Sequence, residues 1–194
     1  MKRTLILCSA LAIGCASAAH ASPPDPTKSS YDHILVGNSS GSDMGNGFKV
    51  IVRDVGNIPL AGKTVAILFA GSGAHADVEQ EAGTTSSCTA ASLSRISNGD
   101  GEVLFHAGVA GFDNGHVVQV RAQGVLLGTI QVRSTDIDGS GATDLRDLNA
   151  FRERFISDHA APETDFNQDG VTNGYDFEIL RAEFVRGVRN TVCP

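Results

Sequence analysis

Two twelve-residue strings near the C-terminus constrain this chain more than any other feature. DIDGSGATDLRD runs from Asp136 to Asp147, and DFNQDGVTNGYD runs from Asp165 to Asp176. Setting Asp165 on Asp136 aligns them without a gap, at a spacing of 29 (165 against 136). Asp138 then meets Asn167, Ser140 meets Asp169, Gly141 meets Gly170, Asp144 meets Asn173 and Asp147 meets Asp176. The register continues downstream, with Leu148 over Phe177, Phe151 over Leu180 and Phe155 over Phe184. Each string therefore feeds an apolar stripe at helical spacing, which predicts two short amphipathic helices. Ordinary turns use the same residue types, so one such loop alone would be weak evidence. Oxygen donors, a glycine and a helix stripe repeating in one register are strong evidence.

The chemistry that needs this spacing is calcium coordination. A hard cation of this size takes about six to eight oxygens at roughly 2.3 to 2.6 Å, and a twelve-residue loop offers them at positions 1, 3, 5, 7, 9 and 12, with glycine at the sharp turn at position 6. The expected ligands in the first loop are Asp136, Asp138, Ser140, the carbonyl of Ala142, Asp144 and Asp147. In the second they are Asp165, Asn167, Asp169, the carbonyl of Val171, Asn173 and Asp176. Two ions are expected; magnesium is the weaker alternative, because it keeps more waters and fewer protein ligands. Few large apolar residues accompany these loops, so folding of 135–190 is expected to be coupled to calcium.

Two features separate the repeat from a sensor of the EF-hand type. A strand pattern enters Asp136 and a segment containing Pro162 enters Asp165, so neither loop is preceded by a helix that could swing. Position 12 is aspartate rather than the longer glutamate that closes an EF-hand loop.

The opposite end of the chain addresses destination. Residues 1–21 carry Lys2 and Arg3, an apolar run from Leu5 to Ile13 and the small-residue site Ala19-His20-Ala21, the pattern of a secretory signal. Lipidation at Cys15, which would anchor the chain to a membrane, is the alternative, although Ala12 stands where a larger aliphatic is usual. Beyond the signal only Cys88 and Cys193 remain, and an oxidising destination permits a disulfide between them as well as free thiols or an intermolecular bridge. A formal charge of −7 and a pI near 5.2, with basic residues scattered, exclude a nucleic-acid partner.

After a Pro/Ser-rich lead over 22–30, residues 31–134 read as short strands punctuated by turns. FKVIVRDV alternates Phe48, Val50 and Val52 against Lys49, Ile51 and Arg53, and KTVAILFAG is β-branched. Asn98-Gly99-Asp100-Gly101 precedes an alternating Val103 and Phe105 strand, and two further strands turn about Gln123-Gly124. The pattern predicts a mainly β fold with a small α module: an antiparallel sandwich over 31–134, the calcium module over 135–190 and a tail over 191–194.

The duplicated D-x-[DN]-x-[DS]-G-x-x-[DN]-x-x-D loop and helix, over about residues 134–189, resembles a type I dockerin. That resemblance implies calcium-dependent docking to a cohesin module through a helix face, within a scaffolded, polysaccharide-associated assembly. Where that family often carries a hydroxyl pair at positions 10 and 11, this chain has Leu145-Arg146 and Gly174-Tyr175. The halves therefore differ, which argues against two interchangeable binding orientations. Arg152, Glu153 and Arg181 lie one turn further on and complete the expected partner contacts. The strings VRDVGNIPLAGKTVAILF and ISNGDGEVLFHAG give 47–133 a weaker similarity to bacterial Ig-like domains of the invasin and intimin kind, which implies a spacer or adhesion module.

No catalytic constellation competes with this. His75, His106 and His116 lack metal-ligand spacing, and AGSGAH, with Ser72 near His75, is a glycine-rich loop rather than a nucleophile elbow. The expectation is a secreted, non-catalytic docking protein. The alternative is a structural or adhesive surface protein in which calcium only stabilises the C-terminal module, and a hydrolase or carbohydrate-binding role stands behind both.

Overall fold

The computed structural model describes residues 22–37, 47–187 and 191–193. The expected signal at 1–21, including Cys15, lies outside the described residues. Among the described residues eleven strands precede two helices, a mainly β fold with a small α module.

The strands form three sheets. β1 (Ser30–Tyr31), β3 (Phe48–Ile51) and β8 (Glu102–Phe105) make one, in the order β1-β3-β8. A six-stranded sheet runs β2-β11-β10-β4-β7-β6, from β2 (Ile34–Gly37), β4 (Thr64–Leu68), β6 (Thr85–Ser87), β7 (Ser92–Ile96), β10 (Asp113–Ala122) and β11 (Val125–Ser134). β5 (Ala74–Ala76) and β9 (Val109–Gly111) form a third pair. The expected alternation holds along β3, where Phe48 and Val50 are buried and Lys49 is exposed. One apolar cluster joins the sheets, with Val50, Val103 and Phe105 from the first meeting Leu35, Ile67, Leu93, Val120 and Ile130 from the second. Complete burial of each large side chain contributes about 1.5 to 3 kcal/mol.

The antiparallel expectation fails at one place. β2 pairs in parallel with β11, Ile34 beside Gln131 and Gly37 beside Ser134, while the other pairings among the described strands are antiparallel. β2 lies at an edge of the six-stranded sheet and the chain then moves to β3 in the other sheet. No hairpin joins β2 to its neighbour, so nothing in the local turn chemistry announces its direction.

β11 ends at Ser134 and runs directly into the first acidic string. The two helices follow their loops as expected, α1 at Leu145–Ser157 and α2 at Gly174–Arg186. They begin at loop position 10 in both repeats, because positions 9 and 12 form capping boxes: Asp144 with Asp147, and Asn173 with Asp176. Their apolar stripes are only partly used. Phe151 and Leu180 are buried with Phe166, but Phe155, Phe177 and Phe184 are each more than a third exposed. Two helices and three core side chains cannot cover a complete stripe on both.

The tail returns to the β half. Val78 N–H donates to Thr191 O, Cys193 N–H donates to Ala76 O, and Asp77 bridges Val192, so 191–193 lie along the edge of β5. Cys193 is bonded to Cys88. None of the described helices is long and apolar enough to cross a membrane.

Candidate metal centre

The two loops are built by one set of hydrogen bonds, repeated 29 residues apart. In the first, Asp136 Oδ1 accepts from Ser140 N–H at 2.9 Å and Oδ2 from Gly141 N–H at 2.7 Å. In the second, Asp165 Oδ1 accepts from Asp169 N–H and Oδ2 from Gly170 N–H, each at 3.1 Å. Position 12 closes each loop in the same way. Asp147 takes the amides of Asp138 and Asp144 at 3.1 and 2.8 Å, and Asp176 takes those of Asn167 and Asn173 at 3.0 and 2.9 Å. A shorter carboxylate at position 12 thus reaches across the loop because the capping box has drawn the helix N-terminus up to it.

The backbone is congruent as well. Gly141 and Gly170 have φ of 89° and 87°, which makes glycine the residue of choice at position 6. Position 4 is also left-handed, at Gly139 and, with a side chain, at Gln168. Ile137 and Phe166, both at position 2, turn inward to the cluster around Phe151 and Leu180. Each loop is therefore anchored from below by an apolar side chain while its oxygens converge above.

In the first loop that convergence is tight. Carboxylate oxygens of Asp136, Asp138 and Asp147 lie within 4.8 Å of one another, and Asp136 and Asp147 are fully buried. Burial, followed by the charge of Asp147, pushes the Asp136 carboxyl up to about 7, and burial likewise raises Asp147. Among the described residues, the cation paired with this group is the exposed Arg146, 4.0 Å from Asp138. Three acidic groups converging on one point, with no buried counter-charge paired to them among the described residues, fit a hard, oxygen-seeking cation.

The second loop is electrically different. Position 3 is an amide, so no such carboxylate triad forms there among the described residues. Asn167 and Asn173 each donate a side-chain N–H to Asp169 Oδ2, at 3.0 and 3.1 Å. The Asn167 bond holds Asp169 below the usual carboxylate range. Arg133, at the end of β11, donates Nη1 to the backbone carbonyl of Asp165 and to its Oδ2 at 3.0 Å, with both side chains almost entirely buried.

No family model, curated protein or solved structure matches the chain. Its site must be understood from its own residues.

The remaining expected ligands take the positions the repeat assigns. Ser140, Asp144, Asp169 and Asn173 lie in the loops, and the carbonyls of Ala142 and Val171 accept from Ser140 Oγ at 3.3 Å and Asn173 Nδ2 at 3.1 Å. The expected partner residues Leu145, Arg146, Arg152, Glu153, Gly174, Tyr175 and Arg181 are all exposed. They are not one patch in composition: Arg152 and Gly174 border an apolar groove with Leu148, Phe151, Phe155 and Phe177, whereas Arg181 is paired with Glu178.

Sequence reasoning missed two layers of the site. Thr135 and Thr143 share a hydroxyl hydrogen bond of 3.0 Å, and Thr164 and Thr172 repeat it at 2.7 Å, all four buried. Their identity under the same alignment was a readable signal. The second layer joins the loops to the strands: Gly111 N–H donates to Asp136 O at 2.7 Å, Ser134 Oγ donates to Val109 O at 2.6 Å, and Arg133 holds Asp165. A side chain at Gly111 would press its Cβ to 2.3 Å from Gly73 O, so glycine is needed where β9 meets the loop.

Proposed function

We propose that this is a secreted, non-catalytic protein that binds two calcium ions at 136–147 and 165–176, and that the calcium-loaded module docks to a cohesin-type partner while an Ig-like sandwich is displayed beside it. The observation that carries the calcium half is the duplicated hydrogen-bond network, in which positions 1 and 12 of each loop are held in the same way by backbone amides. Loop one adds three converging carboxylates, of which the buried pair Asp136 and Asp147 have raised proton affinity, the electrostatic condition a divalent cation relieves. Calcium is favoured over magnesium because a backbone carbonyl and several side-chain oxygens are offered together in each loop, more protein ligands than magnesium usually takes.

Support for docking comes from the exposed apolar groove on α1 and the start of α2, beside Arg152 and Gly174. Isothermal titration should give two calcium ions per chain, and Asp147→Ala with Asp176→Ala should abolish both the heat and calcium-dependent capture by a cohesin domain. Calcium binding without capture would leave the metal assignment intact and sink the docking role.

A second function has its own observation. The module is fixed to the β half at both ends, by Arg133 and Gly111 at its entry and by the Cys88–Cys193 bond at its exit. That attachment favours a structural or adhesive surface protein in which calcium stiffens the junction. A calcium-dependent rise in unfolding temperature with no cohesin capture is the result this second function requires.

A further inference from the structure

The two loops share a backbone design but differ in how their negative charge is compensated. Asp136, Asp138, Asp144 and Asp147 give the first loop four carboxylates at ligand positions, and Asp165, Asp169 and Asp176 give the second three. Asp165 alone of the two position-1 carboxylates receives a guanidinium, from a buried arginine that belongs to the last strand of the β half. Its counterpart Asp136 receives two backbone amides and the side-chain hydroxyl of Ser140, and forms no ion pair with a cation among the described residues.

We propose that Arg133 is a resident counter-cation for the second loop: it neutralises Asp165 in the calcium-free protein, makes the second site the weaker and later-filling one, and ties its filling to strand β11. The inference rests on the calcium assignment above and deepens it.

The physics is direct. A guanidinium at hydrogen-bond distance from a ligand carboxylate opposes a divalent charge brought to the same group, and in a buried setting that opposition is poorly screened. The same ion pair stabilises the unloaded loop, because a buried Asp165 without its partner would bear an uncompensated charge. The first loop has the reverse balance. Its carboxylates repel one another when unloaded and gain most from a cation. Asparagine amide donors stabilise the Asp169 carboxylate without neutralising it, which leaves the second loop orderly and less demanding of metal.

Arg133 also accounts for how the second loop can be organised from a distance. Its strand neighbour Ser134 bonds to β9 and Thr135 leads into the first loop, so the arginine spans from the β half to a carboxylate 32 residues onward. Displacing or weakening that pair on metal binding would be felt at β11.

Calcium titration of the full chain, followed by calorimetry, is the test. Two steps are expected, with Asp147→Asn removing the tighter and Asp176→Asn the weaker. Arg133→Gln keeps a donor for the Asp165 carbonyl without the charge, and should tighten the weaker step by about tenfold while leaving the tighter one unchanged. A weaker step that Arg133→Gln fails to tighten overturns the proposal; failure to bind calcium at all overturns the calcium assignment instead.

A second arm works without calcium and covers poor folding of Arg133→Gln. In excess chelator at pH 8, Asp136→Asn and Asp165→Asn each give up one acceptor for a backbone amide, but only Asp165→Asn also strands Arg133, so it should lower the unfolding temperature by more. Equal effects of the two substitutions would show that Arg133 does not compensate Asp165.

Discussion

Cys193 is bonded to Cys88, 105 residues earlier in the chain, and the bond returns the C-terminal tail to the β half. The two acidic loops thus lie on a segment whose two ends are both fixed: Ser134 continues from β11, and Cys193 pairs its amide with Ala76 O. A free, linker-borne docking module would have one fixed end. Removing the bond with Cys88→Ser and Cys193→Ser is expected to cost about 2 to 4 kcal/mol in urea unfolding at saturating calcium, chiefly through the larger unfolded ensemble. The calcium stoichiometry should not change, because neither cysteine stands at a ligand position. A loss of one ion in the double variant would show that the tail shapes a loop.

Acidity acts on the first loop through Asp136. Its carboxyl ordinarily titrates at 3.8 and is pushed up to about 7 by burial and by Asp147. The folded, calcium-free protein therefore binds this proton more tightly than the unfolded chain. Its contribution to stability is fully present below about pH 4 and is lost as pH rises through about 7. Calcium needs the carboxylate, so the trend reverses in the loaded protein: affinity of the tighter site should fall about tenfold per pH unit below 7, with a proton released on binding. Titrations at pH 5, 6 and 7 in buffers of different ionisation heat measure both. A flat affinity across that range contradicts the assignment of Asp136 as a ligand.

The parts of this protein that sequence discloses are those with local physics. Position 6 needs a left-handed backbone, so Gly141 and Gly170 could be read directly, and Phe151 and Leu180 followed from helical spacing. Alternation along Phe48–Ile51 gave a strand with one buried face. What escaped depends on contacts distant in the chain. Arg133 is an unremarkable basic residue at the end of a strand until Asp165 is folded against it. The parallel placement of β2 beside β11 has no turn to announce it. Phe155 and Phe177 kept the period of a buried stripe, yet the module has too few partners to cover them.

Glycine at position 6 can be tested for backbone conformation alone. A Cβ at Gly170 would meet nothing within 4 Å, so Gly170→Ala adds no clash and isolates the cost of a φ of 87°. That cost is about 1 to 2 kcal/mol. It should appear in the calcium-free melting curve and again as weaker binding at the second site only. Gly141→Ala, at a φ of 89°, should do the same at the first. If Gly170→Ala leaves both readouts at wild type, the second loop relaxes its turn in solution.

Tyr175 and Leu145 separate docking from stiffening. Tyr175 is 75% exposed and Leu145 is 64% exposed, and each stands at or beside the first residue of its helix, where its backbone continues the loop while its side chain leaves it. Neither offers an oxygen at a ligand position. Tyr175→Ala and Leu145→Ala should therefore change unfolding free energy by less than about 0.5 kcal/mol and leave two calcium ions bound. A docking surface gives such residues a cost that stability does not: an exposed aromatic at the centre of an interface commonly contributes about 2 kcal/mol or more. Capture by a cohesin domain, measured at saturating calcium, should then weaken at least about thirtyfold for Tyr175→Ala. Undiminished capture in both variants would move the contact to the Phe155 and Phe177 groove, and capture absent even from the unsubstituted protein would leave calcium with the structural task alone.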